Sequence, residues 1–368
     1  MRVTEFIFDC KDARRGIADA GVVLFWTHNL IISIMQEMKS PQGGFLFIYP
    51  QAWRGNAPSM TNRYKGLIHA SGGWEPPEEV RRACVVSAFS EGEVPDLLPW
   101  VERAERVVIG VSSSISVRFI QEVCRSFPGK VVLSWHDPFP ETQRDREAEL
   151  VLCARWHIVP TRAHADHLRS QGAQEVFSAT PLLEDLRIPR LDRGWSYDIG
   201  HLGWVGGGGR DMMGLVKGVK LARCSHKPWR VIQFGPLPRR LFVRLLPYRL
   251  WGILAVRMAV PQERVVEIYP HLRFSAVLQV GSFYGDLCIP GKLIETVLMG
   301  CPPICDRRGK LLAHVCDEVG LPSWGRPSEI PEIFEVLDGF CGEGFARRLG
   351  FVIAEYSLSE CFAHILSG

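Results

Sequence analysis

The chain has 368 residues, 46% hydrophobic and 23% charged, enough apolar material for about two domains with real cores; this excludes a disordered chain or a small disulfide-held scaffold. Its formal net charge of +3 is too weak to point to a nucleic-acid partner. Eleven cysteines lie scattered from Cys10 to Cys361 without a C-x-x-C pair, a pattern that fits small buried hydrophobes in a reducing, cytoplasmic compartment better than disulfides or a metal centre.

The chain opens with MRVTEFIFDC, which reads as a strand and carries no secretory leader. The apolar run GVVLFWTHNLIISIM is interrupted by Thr27, His28 and Asn29, and it falls short of the roughly 20 residues a membrane span needs. RGIADAGVVLFWTHNLIISIMQEM is read as one long helix, with a strand to Trp26 and a helix from Asn29 as the alternative. A repeating pattern comes next, in which a short apolar run leads to a Gly/Ser/Pro/Asp-rich turn and then a helix-like stretch. GFLFIYP, RVVIGVSSS, KVVLSWHDPFP and RWHIVPTRA are its apolar runs and turns, and the serines after RVVIGV can cap a helix starting near Ile115. Continuous β-branched runs without alternation suit strands buried on both faces, hence parallel sheets. PLLEDLRIPRLDRGW, Pro181 to Trp195, reads as an interdomain linker.

The pattern restarts at YDIGHLGWVGGGG, where four glycines, Gly206 to Gly209, precede Arg210 and Asp211 at a helix start. Such glycines let the backbone approach a diphosphate closely, with helix N-terminal amides and Arg210 to neutralise it. No Gly-Lys-Ser/Thr comes after them, so this is not a P-loop, and a plain surface loop is the alternative. WRVIQFGP is the next strand. LPRRLFVRLLPYRLWGILAVRMAVP, Leu237 to Pro261, carries five arginines and no acid, with Pro247 expected to divide it into two short helices. It either rests on an anionic membrane surface or packs on the second sheet with snorkelling arginines. RVVEIYP and FSAVLQVG are further apolar runs.

IPGKLIETVLMGCPPICD then reads as a helix with Leu293, Ile294, Val297 and Leu298 on one face, Gly300 as its cap, Pro302-Pro303 preventing continuation, and a strand at PICD. Lys292 and the Gly291 amide can meet an anion, and Glu295, acceptor-only when ionised, can take two adjacent ribose hydroxyls. Alternatively, Lys292 and Glu295 form a plain surface i, i+3 pair.

FSAVLQVGSFYGDLCIPGKLIETVLMGCPPICD resembles the nucleotide-sugar-binding segment of GT-B glycosyltransferases, and is most similar to the family 4-like enzymes of lipopolysaccharide, capsule and exopolysaccharide synthesis. Lys292, Glu295, Gly300, Pro302 and Ile304 match their K-x-x-E-x-x-x-x-G-x-P-x-I helix. The glycine loop with Arg210, WRVIQFGP with Gly235, and RWHIVPTRAHADHL resemble further elements in the same order along roughly the whole chain. The resemblance implies an α/β fold of two Rossmann-like, doubly wound domains facing a cleft. An acceptor domain would span 1–190, a nucleotide-sugar domain 191–345, and a terminal helix, 346–368, would cross back to the first domain. It implies a donor site of Gly206, Gly207, Gly208, Arg210, Gly235, Asp286, Gly291, Lys292, Leu293 and Glu295. Many members carry a Glu eight residues before the ribose-binding Glu. Here that position is Leu287, so either Asp286 substitutes or the Gly285–Pro290 backbone meets the sugar.

The implied reaction moves a sugar from a nucleoside diphosphate sugar to a glycan or lipid-linked acceptor. Without a D-x-D motif no metal or cofactor is expected, and Arg210, Lys292 and the glycine amides would stabilise the departing diphosphate. His136 and Asp137, at the end of a first-half strand, are candidate bases for an inverting reaction, whereas in a retaining one, which the resemblance implies, the donor phosphate takes the proton. A turn initiated by Asp137-Pro138 is the alternative for that pair, and His28 and His201 are weaker candidates. A nucleotide-sugar epimerase and a non-catalytic two-domain binding protein are the competing readings, and the enzyme would sit in the cytoplasm or at the inner face of the plasma membrane.

Overall fold

In the computed structural model, the residues described are 45–50, 84–89 and those from 101 to 368 other than 103, 112–116, 136, 185–195, 204, 206–209, 226–228, 261–264, 280–282 and 337–341. All belong to one compact unit, Gly43–Gly368. The expectations for the segment before Phe45, the serine cap near Ile115, His136 and the run Gly206–Gly209 lie outside the described residues.

The first half runs β1 (Phe45–Pro50), β2 (Cys84–Phe89), β3 (Arg106–Val111), α1 (Val117–Ser126), β4 (Val131–Trp135), α2 (Arg144–Val151), β5 (Trp156–Val159), α3 (Arg162–Ser170) and β6 (Glu175–Thr180). The second runs β7 (Tyr197–Leu202), α4 (Met212–Ser225), β8 (Val231–Phe234), α5 (Arg239–Leu250), β9 (Leu254–Arg257), α6 (Val265–Ile268), β10 (Leu272–Val277), α7 (Phe283–Leu287), α8 (Gly291–Leu298), β11 (Pro303–Asp306), α9 (Lys310–Val319), β12 (Ser323–Trp324), α10 (Ile330–Val336) and α11 (Gly342–Ile353). The chain ends with β13 (Tyr356–Ser357) and α12 (Leu358–Ser367).

The strands form two sheets, ordered β2-β1-β3-β4-β5-β6-β13 and β9-β8-β7-β10-β11-β12, and every pairing is parallel. The uninterrupted apolar runs have the physical consequence expected of them. Strand β4, VVLSW, is buried along its whole length, so both faces of the sheet must be covered. One face of the first sheet packs on α1, α2 and α3. The other packs on α12 through Leu358, Cys361, Phe362 and Ile365. Those four recur at i, i+3, i+4 and i+7, one stripe of an amphipathic helix. Ser357 and Glu360 close a capping box at its start. The end of the chain therefore returns to the first sheet, with β13 adding to β6 as an edge strand.

Helix α8 shows how local sequence sets an element. Gly300 adopts φ 66°, a left-handed cap that a side chain disfavours, and Cys301 N–H reaches back to Thr296 O at 3.1 Å. The basic stretch differs from expectation. Pro247 does not divide it, because it sits near the end of α5 and costs that helix one internal hydrogen bond. The residues beyond α5 do not make a second helix. Leu254–Arg257 pairs with β8 as the edge strand β9, since Ile253 and Leu254 join the core beside Val231. RVVEIYP is likewise helical (α6) and ends in a 3₁₀ turn, Tyr269–His271, at Pro270. In the stretch read as a linker, Pro181–Leu183 forms a 3₁₀ turn whose Leu182 is buried among α8, α9 and α11.

Candidate functional site

In each sheet the strand order reverses at one point, between β1 and β3 in the first and between β7 and β10 in the second. Loops leaving the carboxyl ends of such strands diverge to opposite faces and leave a crevice, which is where ligands bind in open α/β sheets. At the second crevice, Arg210 comes shortly before α4 in the chain after β7, and α7 and α8 come after β10.

The carboxyl rims of the two sheets meet. Thr161, just past β5, donates its hydroxyl to the carbonyl of Leu287, the last residue of α7. His164 Nδ1 lies 3.9 Å from Cys288 Sγ. Phe283 packs edge-on to His167 with 5.3 Å between ring centres, and the Arg144 guanidinium lies 4.7 Å from the centre of the same Phe283 ring. The first-half side of this seam is braced by Glu147, fully buried, which accepts from the Phe139 amide at 2.8 Å, His167 Nε2 at 2.8 Å and Gln171 Nε2 at 2.9 Å. Burial alone would raise the Glu147 carboxyl, but the bonds from His167, the Phe139 amide and Gln171 leave it below the usual range. Asp137, half-buried just past β4, stands one strand from the seam.

On the second sheet, Lys292 Nζ meets Glu295 Oε2 at 2.8 Å, with both side chains about one-fifth exposed. The other Glu295 oxygen accepts from Tyr269 OH at 3.0 Å. Tyr269 is fully buried, and burial together with the Glu295 charge pushes its phenol well above its ordinary value, so it remains a donor. Thr296 Oγ1, 3.4 Å from Tyr269 OH, donates to Ser275 Oγ on β10 at 3.0 Å. The Glu295 carboxylate is thus held in one orientation, with lone pairs left for hydroxyl groups from outside. Tyr269 was not legible as a site residue, because nothing in YPHL marks it until the chain folds it beside α8.

His201, at the end of β7, belongs to the same site. Its Nδ1 donates to Gln233 Oε1 at 2.7 Å, while Gln233 Nε2 donates to Gly203 O at 2.7 Å and Phe234 O at 3.1 Å. That network fixes the amide orientation and the histidine tautomer, leaving Nε2 as an acceptor. Burial pushes the imidazole down to about 3; Gln233 opposes this, and the charges of Lys292 and Arg210 push it further down. Lys292 and Arg210, 82 residues apart in sequence, therefore act on one buried ring at the β7–β10 crevice.

Gly235, after β8, has φ 123°, and a Cβ there would lie 2.6 Å from Gly203 O. A Gly235→Ala substitution combines a left-handed backbone with a backbone clash that no rotamer relieves. We expect it to cost at least about 2 kcal/mol of stability. An unchanged urea midpoint would refute the close approach.

The other candidate residues have these surroundings. Leu293 is fully buried in the core and its amide donates to Pro290 O at 2.9 Å, because it occupies the inward stripe of α8. Asp286 pairs with Lys310 Nζ at 2.9 Å, at the start of α9. The Leu287 and Cys288 carbonyls are already taken, by Thr161 and by Gln279 Nε2 at 2.9 Å. Gly291, at the N-terminus of α8, is exposed and open. Among the described residues no group of three or more His, Cys, Asp or Glu side chains is disposed to hold a metal ion, and no helix is long and apolar enough to cross a membrane.

Two parallel, doubly wound sheets with facing carboxyl rims are the GT-B arrangement. The structure is similar to HepE from Anabaena, solved in complex with UDP (TM-score 0.56, 12% identity, covering 88% of this chain and 97% of that one). It is also similar to sucrose-phosphate synthase from Thermosynechococcus elongatus (0.53, 15%, 88% and 94%) and to a protein assigned as a UDP-N-acetylglucosamine 2-epimerase from Listeria monocytogenes (0.52, 13%, 85% and 91%). No protein-family model matches the chain, and no curated protein sequence does. At these identities the likeness is one of fold.

Proposed function

We propose that this protein is a glycosyltransferase. It takes a nucleoside diphosphate sugar at the carboxyl rim of its second sheet and passes the sugar to an acceptor in the facing first half. The observation that carries this reading is the bonded set Lys292, Glu295 and Tyr269 at the crevice where the strand order reverses, with the charges of Lys292 and Arg210 both acting on the buried His201. Two cations beside a hydroxyl-accepting carboxylate is the donor set a ribosyl diphosphate requires. The fold shared with HepE and sucrose-phosphate synthase supports the same class.

In this reading Glu295, held by Tyr269, accepts the ribose hydroxyls. Lys292 exchanges its bond to Glu295 for the diphosphate, and together with Arg210 and the amides of Gly206–Gly209 it stabilises the charge that develops as the glycosidic bond breaks. Metal or cofactor is not required, because these groups supply the positive charge. Similarity to family 4 enzymes favours retention of configuration, with the donor phosphate taking the acceptor proton. Were the reaction inverting, Asp137 or His136 would be the base. The acceptor is a glycan or lipid-linked saccharide of bacterial surface polysaccharide synthesis, and the domain limits at 190 and 345 belong to the same reading.

Calorimetric titration with UDP, GDP, CMP and their sugars tests it, starting with UDP. We expect one nucleoside diphosphate to bind with unit stoichiometry and equal affinity with and without EDTA. Failure of every nucleotide to bind would sink the reading, and an epimerised sugar without transfer in product analysis would replace it by the epimerase.

A further inference from the structure

Helix α5 carries more apolar surface than a helix that only packs on a sheet needs. Leu241, Leu245 and Tyr248, at i, i+4 and i+7, attach it to the core. The opposite side is also apolar. Phe242, Val243, Leu246 and Leu250 are 37%, 61%, 42% and 78% exposed, and Trp251 and Met258 beyond the helix are 54% and 89% exposed. Of the ten exposed large apolar side chains among the described residues, six fall in this one span, so the exposure is concentrated rather than scattered.

Cations surround the patch. At 100° per residue, Arg240 and Arg244 fall on one flank of the exposed apolar stripe and Arg249 on the other, while the exposed Arg239 lies in line with the stripe at the helix start. The Arg249 guanidinium lies 4.6 Å from the centre of the Phe242 ring, and Lys220 Nζ lies 4.4 Å from that of Trp251. Arg223 Nη1 donates to Trp251 O at 3.1 Å, and Arg257 adds a charge on edge strand β9. No acid occurs from Leu237 to Pro261.

We infer that α5, the Trp251 turn and β9 form a docking surface for an anionic lipid bilayer. The helix would lie in the plane of the interface, its outer apolar stripe entering the acyl boundary and the arginines reaching the phosphate groups. Charge decides between lipid and a protein partner. A protein would have to present an acidic face to the arginines and an apolar one to the stripe between them. A bilayer supplies both at their natural depths, and a belt of aromatics and arginines flanking an apolar stripe matches that layering. Helix α5 starts four residues after Gly235, at the rim that holds the candidate donor site. Docking there would set the crevice beside the membrane. The inference does not depend on the donor-site reading, since vesicle binding is measured without substrate.

The test is co-sedimentation of the full chain with vesicles of phosphatidylcholine alone or with 30% phosphatidylglycerol, at low and high salt. We expect binding to the anionic vesicles only, weakening with salt. Arg240→Glu with Arg244→Glu should lower the affinity about 30-fold or more, and Leu246→Ser with Leu250→Ser about tenfold, with unchanged circular dichroism and nucleotide binding. No binding to anionic vesicles at low salt overturns the inference, as does binding that neither pair of substitutions weakens. A concentration-dependent dimer abolished by Leu246→Ser/Leu250→Ser, with no change in vesicle binding, would reassign the surface to self-association.

Discussion

Replacing Lys292 with alanine is expected to weaken nucleoside diphosphate binding by about 10- to 100-fold while changing folding stability by less than about 0.5 kcal/mol. The two magnitudes separate the roles this residue can play. As a structural residue it contributes an i, i+3 ion pair to Glu295, part-exposed and screened, worth a few tenths of a kcal/mol. As a phosphate ligand beside Arg210 it makes a charge-assisted bond in a partly desolvated crevice, where one such contact is worth about 1.5–3 kcal/mol. Glu295→Gln is the companion experiment. It keeps an acceptor for Tyr269 but loses the charge and half of the hydroxyl-binding capacity, and a similar fall in affinity is expected. The two losses should be less than additive, because both groups hold one ligand. Calorimetry and urea unfolding on the same samples read both quantities, and nucleotide affinity that survives Lys292→Ala would remove this residue from the donor site. Once an acceptor is in hand, turnover should fall by about 10²-fold or more.

Mild acid is expected to unfold the protein, and buried histidines set the pH. Burial pushes His157 and His164 down from 6.5 to about 4 and His201 to about 3. The hydrogen bonds explain why these rings stay neutral. His157 Nδ1 accepts from Trp135 Nε1 at 3.1 Å, leaving no room for a proton there. His164 Nε2 is buried without a hydrogen-bond partner, and His201 faces the charges of Lys292 and Arg210. A folded pKa below the unfolded one means that the unfolded chain binds the extra protons. Stability is therefore lost as pH falls from about 6.5 toward about 4, with a slope approaching three protons, or about 4 kcal/mol per pH unit. Burial holds the Glu184 and Asp306 carboxyls above their ordinary range despite bonds from Ser359 and Arg308, so the folded chain takes up these protons before the unfolded one does, and this partly opposes the loss at pH values above the ordinary carboxylate range. Against a stability at the lower end of the typical about 5–15 kcal/mol, the histidine slope alone brings unfolding near pH 5. Urea midpoints at pH 7.5, 6.5 and 5.5 measure it, and a flat series would show that these histidines are charged or accessible in the folded protein. Titrating the crevice with nucleotide should shift the curve through His201, which feels the charges of the proposed phosphate ligands.

The sequence carried the second half unusually far. Helix α8 is a local object, since its stripe, its Gly300 cap and the prolines after it all lie within a dozen residues, and it folds where that pattern puts it. The glycine at the end of WRVIQFGP likewise marks a positive φ at Gly235. Strand β9 was missed because LAVR continues an arginine-rich apolar run with helical spacing, and only the open edge of β8 makes it a strand. Strand β13 is two residues long and carries no pattern at all. Leu293 is buried because the apolar stripe legible along this helix is the face that meets the core.

Periodicity and capping, which act over one or two turns, determined from the sequence alone that this chain makes parallel, doubly wound sheets and that Lys292 and Glu295 start a well-ended helix. Contacts between distant segments were left to the tertiary structure. It decided that Tyr269 orients Glu295, that the charges of Lys292 and Arg210 reach the buried His201, and that Thr161 closes the Leu287 carbonyl. It also decided the fate of α5, whose apolar residues surround the helix. Propensity cannot choose which of them a sheet will cover, and packing through Leu245 buried one side and left Phe242, Val243, Leu246 and Leu250 facing out.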